Sequence, residues 1–175
     1  MKWLGKFPDP FFAEIAGQPG ALRRAADSLL EARPALEALA AATAGAEAAV
    51  LTGMGSSYDA CYPAANELAA RGVIALHVDT AELLHFRSAV LTRPVVLVVV
   101  SQSGESAEVV RLAESLDGAG RPVLVSVTNG LDNELARRSD LRLDTQAGAE
   151  TGPSTMTFAA SIAQLAAVAG AIALD

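Results

Sequence analysis

The densest chemistry in this 175-residue chain lies in six consecutive residues, Ser101-Gln102-Ser103-Gly104-Glu105-Ser106. They follow the apolar run 94–100 directly and open a helix-like pattern over 105–116. The N–H groups of a first helical turn have no intrahelical acceptor and sit at the positive end of the helix dipole, so they attract an anion. Serine hydroxyls around one glycine add short, directional donors. That combination is the chemistry of a phosphate cradle.

Two more loops share its character. Thr52-Gly53-Met54-Gly55-Ser56-Ser57 ends another apolar run, with glycines that permit a tight turn and two hydroxyls before a helix. Ala147 to Thr155 again places glycine and hydroxyls before a helical pattern. Taken singly, each loop is best read as a helix cap, since Ser and Thr are ordinary capping residues. Together they favour a ligand, because a cap uses one hydroxyl while Ser101, Ser103 and Ser106 surround a single turn. Glu105 would be repelled by a bound phosphate, so its expected role is structural support of the helix start.

The elements that must position these loops follow from alternating patterns. Strands are expected at 48–52, 73–78, 95–100, 123–127 and 141–144, with helices at 57–71, 105–116 and 131–138 between them. Runs such as Val95-Val96-Leu97-Val98-Val99-Val100 are apolar on both faces, as in a parallel sheet covered on both sides. The expected fold class is α/β: a doubly wound five-stranded parallel sheet with helices on both faces, a flavodoxin-like three-layer α/β/α domain. Its ligands bind beyond the carboxyl ends of the strands, where the strand order reverses. Residues 46–175 are expected to form that domain. Residues 1–45 are expected to be an N-terminal arm bearing Trp3, Phe7, Phe11 and Phe12, then helix broken or bent at Pro34, packing on the domain or on a partner subunit.

Composition narrows the partners. A formal charge of −7 without any Lys/Arg-rich block argues against nucleic acid or an anionic membrane. One cysteine, Cys61, rules out a disulfide framework, and no signal-like leader is present, so a cytoplasmic setting is expected. Two histidines make a metal site unexpected, and no cofactor is implied. The segment Met156 to Leu174 is apolar but rich in Ala and Gly, with Ser161 and Gln164 inside, which suits a buried or subunit-contact helix rather than a membrane span.

The serine loop, the Gly-Ser-Ser turn at 55–57, the Glu82-containing segment 79–87 and the 147–155 loop together resemble the SIS (sugar isomerase) domain. The likeness is to the first of the two such domains in the isomerase half of glucosamine-6-phosphate synthase and its relatives, the amino-sugar isomerases, deaminases and fructosamine-6-phosphate deglycases. The resemblance implies that Ser57, Ser101, Gln102, Ser103 and Ser106 hold a sugar phosphate, with Ser56 beside them and Ser154 near the sugar. One departure concerns the loop before the last helix, often Glu-x-Gly-Val-Ala-Ser-Thr-Lys in the family. Here it is Glu150-Thr151-Gly152-Pro153-Ser154-Thr155-Met156, one residue shorter and without the lysine. The two-domain relatives also place much of their catalytic machinery in a second domain.

Isomerisation needs a base to move a proton between adjacent sugar carbons and usually a group that opens the ring. Glu82 is the candidate base, and His85, one helical turn on, the candidate ring-opening group. The stronger competing reading makes Glu82 a helix-start carboxylate paired with an arginine. His77, inside a strand, and Cys61, with no base near it in sequence, are read as structural. Both lysines, Lys2 and Lys6, lie in the arm, so the domain proper has no amine for an imine. The expected function is binding of an amino-sugar or ketosamine phosphate with a part in its isomerisation or deamination, as a homodimer or half of a tandem. An alternative is a sugar-phosphate sensor without turnover. A remote third is a nicotinamide dinucleotide (NAD) enzyme, since Gly53-x-Gly55 follows the first strand and Asp79 closes the second; Tyr58 stands where that fingerprint needs glycine.

Overall fold

All five expected strands form: β1 (Ala48–Gly53), β2 (Ala75–Asp79), β3 (Val95–Val100), β4 (Val123–Thr128) and β5 (Leu141–Asp144). They pair in the order β2-β1-β3-β4-β5 and every pair is parallel. The computed structural model describes residues 10–116, 118 and 120–173. Its helices are α1 (Pro10–Glu31), α2 (Arg33–Thr43), α3 (Ser56–Ala70), α4 (Thr80–Phe86), α5 (Ala107–Glu114), α6 (Glu134–Arg138) and α7 (Met156–Ile172), with a 3-10 turn at Ser88–Thr92.

The uninterrupted apolar run of β3 is explained by burial on both sides. Val96, Val98 and Val100 enter one core with α2, α3 and α7, while Val95, Leu97 and Val99 enter the other with α4, α5 and α6. Alternating side chains of one strand thus fill two cores, the signature of a covered parallel sheet. The fold is the doubly wound three-layer α/β/α arrangement that the sequence patterns require. The Ala-rich segment at the C-terminus is α7, a buried helix packed between α1, α2 and α3. No helix among the described residues is long and apolar enough to cross a membrane.

Several boundaries differ from the sequence reading, each for a local reason. The expected arm is helical from Pro10, so Phe11 and Phe12 belong to α1; Trp3, Phe7, Lys2 and Lys6 lie outside the described residues. Pro19 sits inside that helix, and tertiary packing carries the chain through it. Gly17 is one such contact: a Cβ there would stand 2.7 Å from Met156 Sδ. At Pro34 a second helix begins, with the proline in its first turn, where its missing N–H is not needed. Helix α5 starts at Ala107 rather than at Glu105, because Gly104 takes φ +66° and Ser106 is the extended N-cap. Helix α6 likewise starts only after Asn133, whose side chain accepts from Ala136 N at 2.8 Å.

Candidate functional site

Strands β1 and β3 are neighbours at the centre of the sheet, yet α3 leaves β1 toward one face and α5 leaves β3 toward the other. The gap between two such diverging connections is the topological switch point. It forms a cleft of about 170 Å³ lined by Ser56, Ser57, Ser101, Gln102, Ser103 and Ser106 together with Met54 and Val100. Ordinary ligand pockets hold about 300–1,000 Å³, so this cleft suits the phosphate end of a molecule whose remainder lies outside it. A larger open depression of about 550 Å³, between Ser88–Thr92 and Gly120–Pro122, lies at the end of the sheet away from the strand C-termini.

Capping does not account for these hydroxyls. Ser106 occupies the N-cap position of α5 but its side chain makes no cap bond, and none caps α3, whose N-cap is Gly55. Ser101 Oγ accepts from Gly104 N at 3.1 Å and Ser103 Oγ from Glu105 N at 3.2 Å. Both contacts use an oxygen lone pair and leave the hydroxyl proton to donate. Two helix N-termini and a ring of neutral donors therefore face one small volume, the arrangement that binds an oxyanion without a cation. Glu105 is turned away, its Oε1 accepting from Glu134 N at 2.8 Å at the start of α6.

Two glycines set the backbone. A Cβ on Gly53 would stand 2.7 Å from the Ser57 carbonyl carbon, so only glycine lets the end of β1 approach the first turn of α3. Gly104, at φ +66°, would drive a Cβ to 2.0 Å from Asn133 Oδ1.

A residue that sequence reasoning noted only as part of a loop motif joins the cleft to the last helix. Glu150 Oε1 accepts from Thr155 N (2.7 Å), Thr155 Oγ1 (3.1 Å) and Met156 N (2.7 Å), and its Oε2 accepts from Thr157 N (3.1 Å) and the Thr157 hydroxyl. Oε2 also takes Gln102 Nε2 at 3.2 Å. Burial pushes the Glu150 carboxyl up, but the bonds from Thr157, Thr155 and Met156 outweigh it and hold the group below its ordinary value. The detectable signal was a carboxylate just ahead of a hydroxyl-rich helix start. Asn129 completes the edge: its N donates to Gln102 O at 3.0 Å, and its side chain bonds Ala147 N at 3.0 Å and Gly148 O at 2.7 Å.

Other singled-out residues lie apart from the cleft lining. Ser154 is half-buried in the loop before α7. Glu82 is exposed on α4 and ion-paired with Arg87 at 2.8 Å, and His85 is exposed with its ring edge toward Phe86. His77 stacks on Tyr58 at 3.9 Å and bonds its carbonyl oxygen at 2.8 Å. Burial pushes the Cys61 thiol up to about 12, which leaves it protonated and unreactive. Asp79, the ribose acid of the dinucleotide reading, instead caps α4, accepting from Ala81 N at 2.9 Å. Among the described residues no cluster of His, Cys, Asp and Glu could hold a metal ion.

Residues 44–173 match the SIS domain family. The chain belongs to that family. Glutamine–fructose-6-phosphate aminotransferase (isomerizing) of Sulfurisphaera tokodaii is 29% identical over 160 residues, 91% of this chain and 26% of the relative. A solved structure of an Escherichia coli CFT073 protein in complex with arabinose 5-phosphate superposes with a TM-score of 0.78 at 24% identity, covering 91% of this chain and 86% of that one. The C-terminal domain of glucosamine-fructose-6-phosphate aminotransferase from Francisella tularensis superposes with a TM-score of 0.79 at 22% identity, covering 95% of this SIS chain and 48% of that one. The chain spans about a quarter of the length of the aminotransferases it matches over most of its own length.

Proposed function

We propose that this SIS chain binds a phosphorylated sugar, an amino-sugar or ketosamine phosphate, with the phosphate in the switch-point cleft and the sugar extending toward the 148–155 loop. The observation that carries the reading is the convergence of six predicted polar residues and two helix N-termini on one cleft of about 170 Å³. The named relatives support it, one an aminotransferase that takes fructose 6-phosphate and one a complex with arabinose 5-phosphate.

Catalysis is the second part of the proposal. Among the described lining residues there is no carboxylate, histidine or lysine. A proton shuttle must therefore come from Glu82 and His85 after the Arg87 pair opens, or from a second domain or subunit. Ser154 would meet the sugar itself. A homodimer, or pairing with a second SIS domain, suits the apolar surface: Phe12, Ile15, Leu22 and Leu30 are all exposed on α1. The cleft's lack of a base equally favours the sensor reading, in which the sugar phosphate is bound and left unchanged.

The test is a melting-temperature panel with glucosamine 6-phosphate, fructose 6-phosphate, arabinose 5-phosphate, inorganic phosphate and NAD, since a ligand of the folded state raises the transition. Stabilisation by one sugar phosphate well beyond inorganic phosphate supports the assignment, and turnover of that compound separates enzyme from sensor. A response to NAD alone, or to none of them, overturns it.

A further inference from the structure

Helix α1 lies outside the residues that match the SIS family, and it buries an unusual face. Residues 14, 18, 21, 25 and 28 recur at helical spacing and form one stripe. That stripe is small and polar: Glu14, Ala21, Ala25 and Ser28 are buried, whereas Leu22 and Leu30 on the same helix are exposed. A helix that turns leucines outward and polar groups inward must find partners for those groups.

Those partners gather in one segment, the connection from β5 to α7. Ser28 Oγ donates to Asp144 O at 2.7 Å. Arg24 donates through Nε to Gln146 O at 2.7 Å and through Nη2 to Ala147 O at 2.6 Å. Glu14 Oε1 accepts from Thr151 N at 2.6 Å and from Thr151 Oγ1 at 3.0 Å, and Gln18 Nε2 reaches Thr155 O at 3.4 Å. Four side chains over four turns of helix thus hold a connection with no regular structure of its own at both ends and in the middle. Within it, Gln146 adopts φ +48°, a left-handed conformation that a non-glycine residue keeps only when its surroundings hold it. Glu150, inside the held stretch, bonds Gln102 of the cleft.

We infer that α1 is a strut that fixes the β5–α7 connection against the phosphate cleft, and that Glu14 and Arg24 are positioning residues for the sugar end of the ligand. This rests on the proposed sugar-phosphate site. The serine loop keeps its own geometry through Ser101 and Ser103, so phosphate recognition does not depend on the strut. Recognition of the sugar does, because the loop that faces it is held from outside the family core. Glu14 matters most: its Oε2 is buried without a hydrogen-bond partner among the described residues, so the carboxylate is kept for the two bonds made by Oε1.

The experiment compares wild type, Glu14→Gln and the double variant Glu14→Ala/Arg24→Ala, measuring affinity for the stabilising sugar phosphate and for inorganic phosphate, and amide exchange of each without ligand. In the double variant, sugar-phosphate affinity should fall about tenfold, within the range that such couplings reach. Inorganic phosphate should bind as before, and exchange should accelerate in 144–157 but not in β1 or β3. Glu14→Gln keeps an acceptor for Thr151 and leaves Arg24 in place, so it should retain the wild-type affinity. Unchanged affinity, or equal loss of both ligands with faster exchange throughout, overturns the inference. If wild type binds no sugar phosphate, the functional reading fails, and exchange in 144–157 alone decides whether α1 is a strut.

Discussion

Gln102 Nε2 stands 3.2 Å from Glu150 Oε2, so the cleft loop after β3 and the N-terminus of α7 share one carboxylate. Glu150 satisfies the opening N–H groups of α7 at Thr155, Met156 and Thr157, the task that a helix cap performs.

Its loss should therefore register in stability and in its pH dependence. Glu150→Ala is expected to destabilise the fold by about 1–2 kcal/mol, the upper half of the range for caps, in urea denaturation at neutral pH. The folded carboxyl titrates below its ordinary value of 4.5, so the unfolded chain takes up a proton first as the pH falls. The contribution is complete above that ordinary value and disappears as pH drops through the lower folded value. Glu150→Gln should flatten the acid limb of the stability profile; an unchanged acid limb would show that the carboxylate is not held as described.

Serines that cap nothing separate binding from folding. Ser57→Ala and Ser106→Ala should shift stability by less than about 0.5 kcal/mol, as surface changes do. Each should weaken sugar-phosphate binding about tenfold or more, because hydrogen bonds to a charged group contribute about 1.5–3 kcal/mol. Calorimetric titration beside a denaturation curve checks both. Lowered stability with intact affinity would return these residues to an ordinary structural role.

Gly104 is irreplaceable for two independent reasons, its φ of +66° and the Asn133 side chain against it. Gly104→Ala must strain the backbone and displace the Asn133 cap of α6, for an expected loss of at least about 2 kcal/mol. Sugar-phosphate binding should weaken with it, since the same turn carries Ser101 and Ser103. Denaturation midpoints and the melting shift with ligand report the two effects.

Glu82 and Arg87 form a half-exposed pair, 46% and 56% accessible, which contributes little to stability. Glu82→Gln should leave the fold within about 1 kcal/mol of wild type and sugar-phosphate affinity unaltered. If Glu82 is the proton shuttle, turnover of the stabilising sugar phosphate falls about 100-fold or more, the usual contribution of a general base. Equal turnover by the variant would assign the base elsewhere.

The sheet and the hydroxyl-rich turn after β3 were legible because local chemistry alone dictates them. Val95–Val100 is apolar at every position, so it must be covered on both faces, and strands of that kind alternating with helices leave few topologies. Ser101–Ser106 places donors within one turn of chain, and contacts that short need no knowledge of the fold. Asp79 and Glu150 were harder to read, since a carboxylate before a helix has the same sequence signature whether it caps or catalyses.

What the sequence by itself determined was the parallel α/β sheet, the hydroxyl-rich loops at its strand ends and the likeness to the SIS family. Only the tertiary structure decided that Ser56 and Ser57 share a cleft with Ser101–Ser106, that Glu82 faces Arg87, and that Phe11 and Phe12 lie in a helix. The reason is range: Glu14 and Thr151 meet across 137 residues, and Gln102 and Glu150 across 48. Periodicity records which way a side chain points on its own element, but not which distant backbone that element is packed against. For α1 the leucines are a poor guide, because Leu22 and Leu30 face outward while the inward stripe sets Glu14 and Ser28 among small alanines.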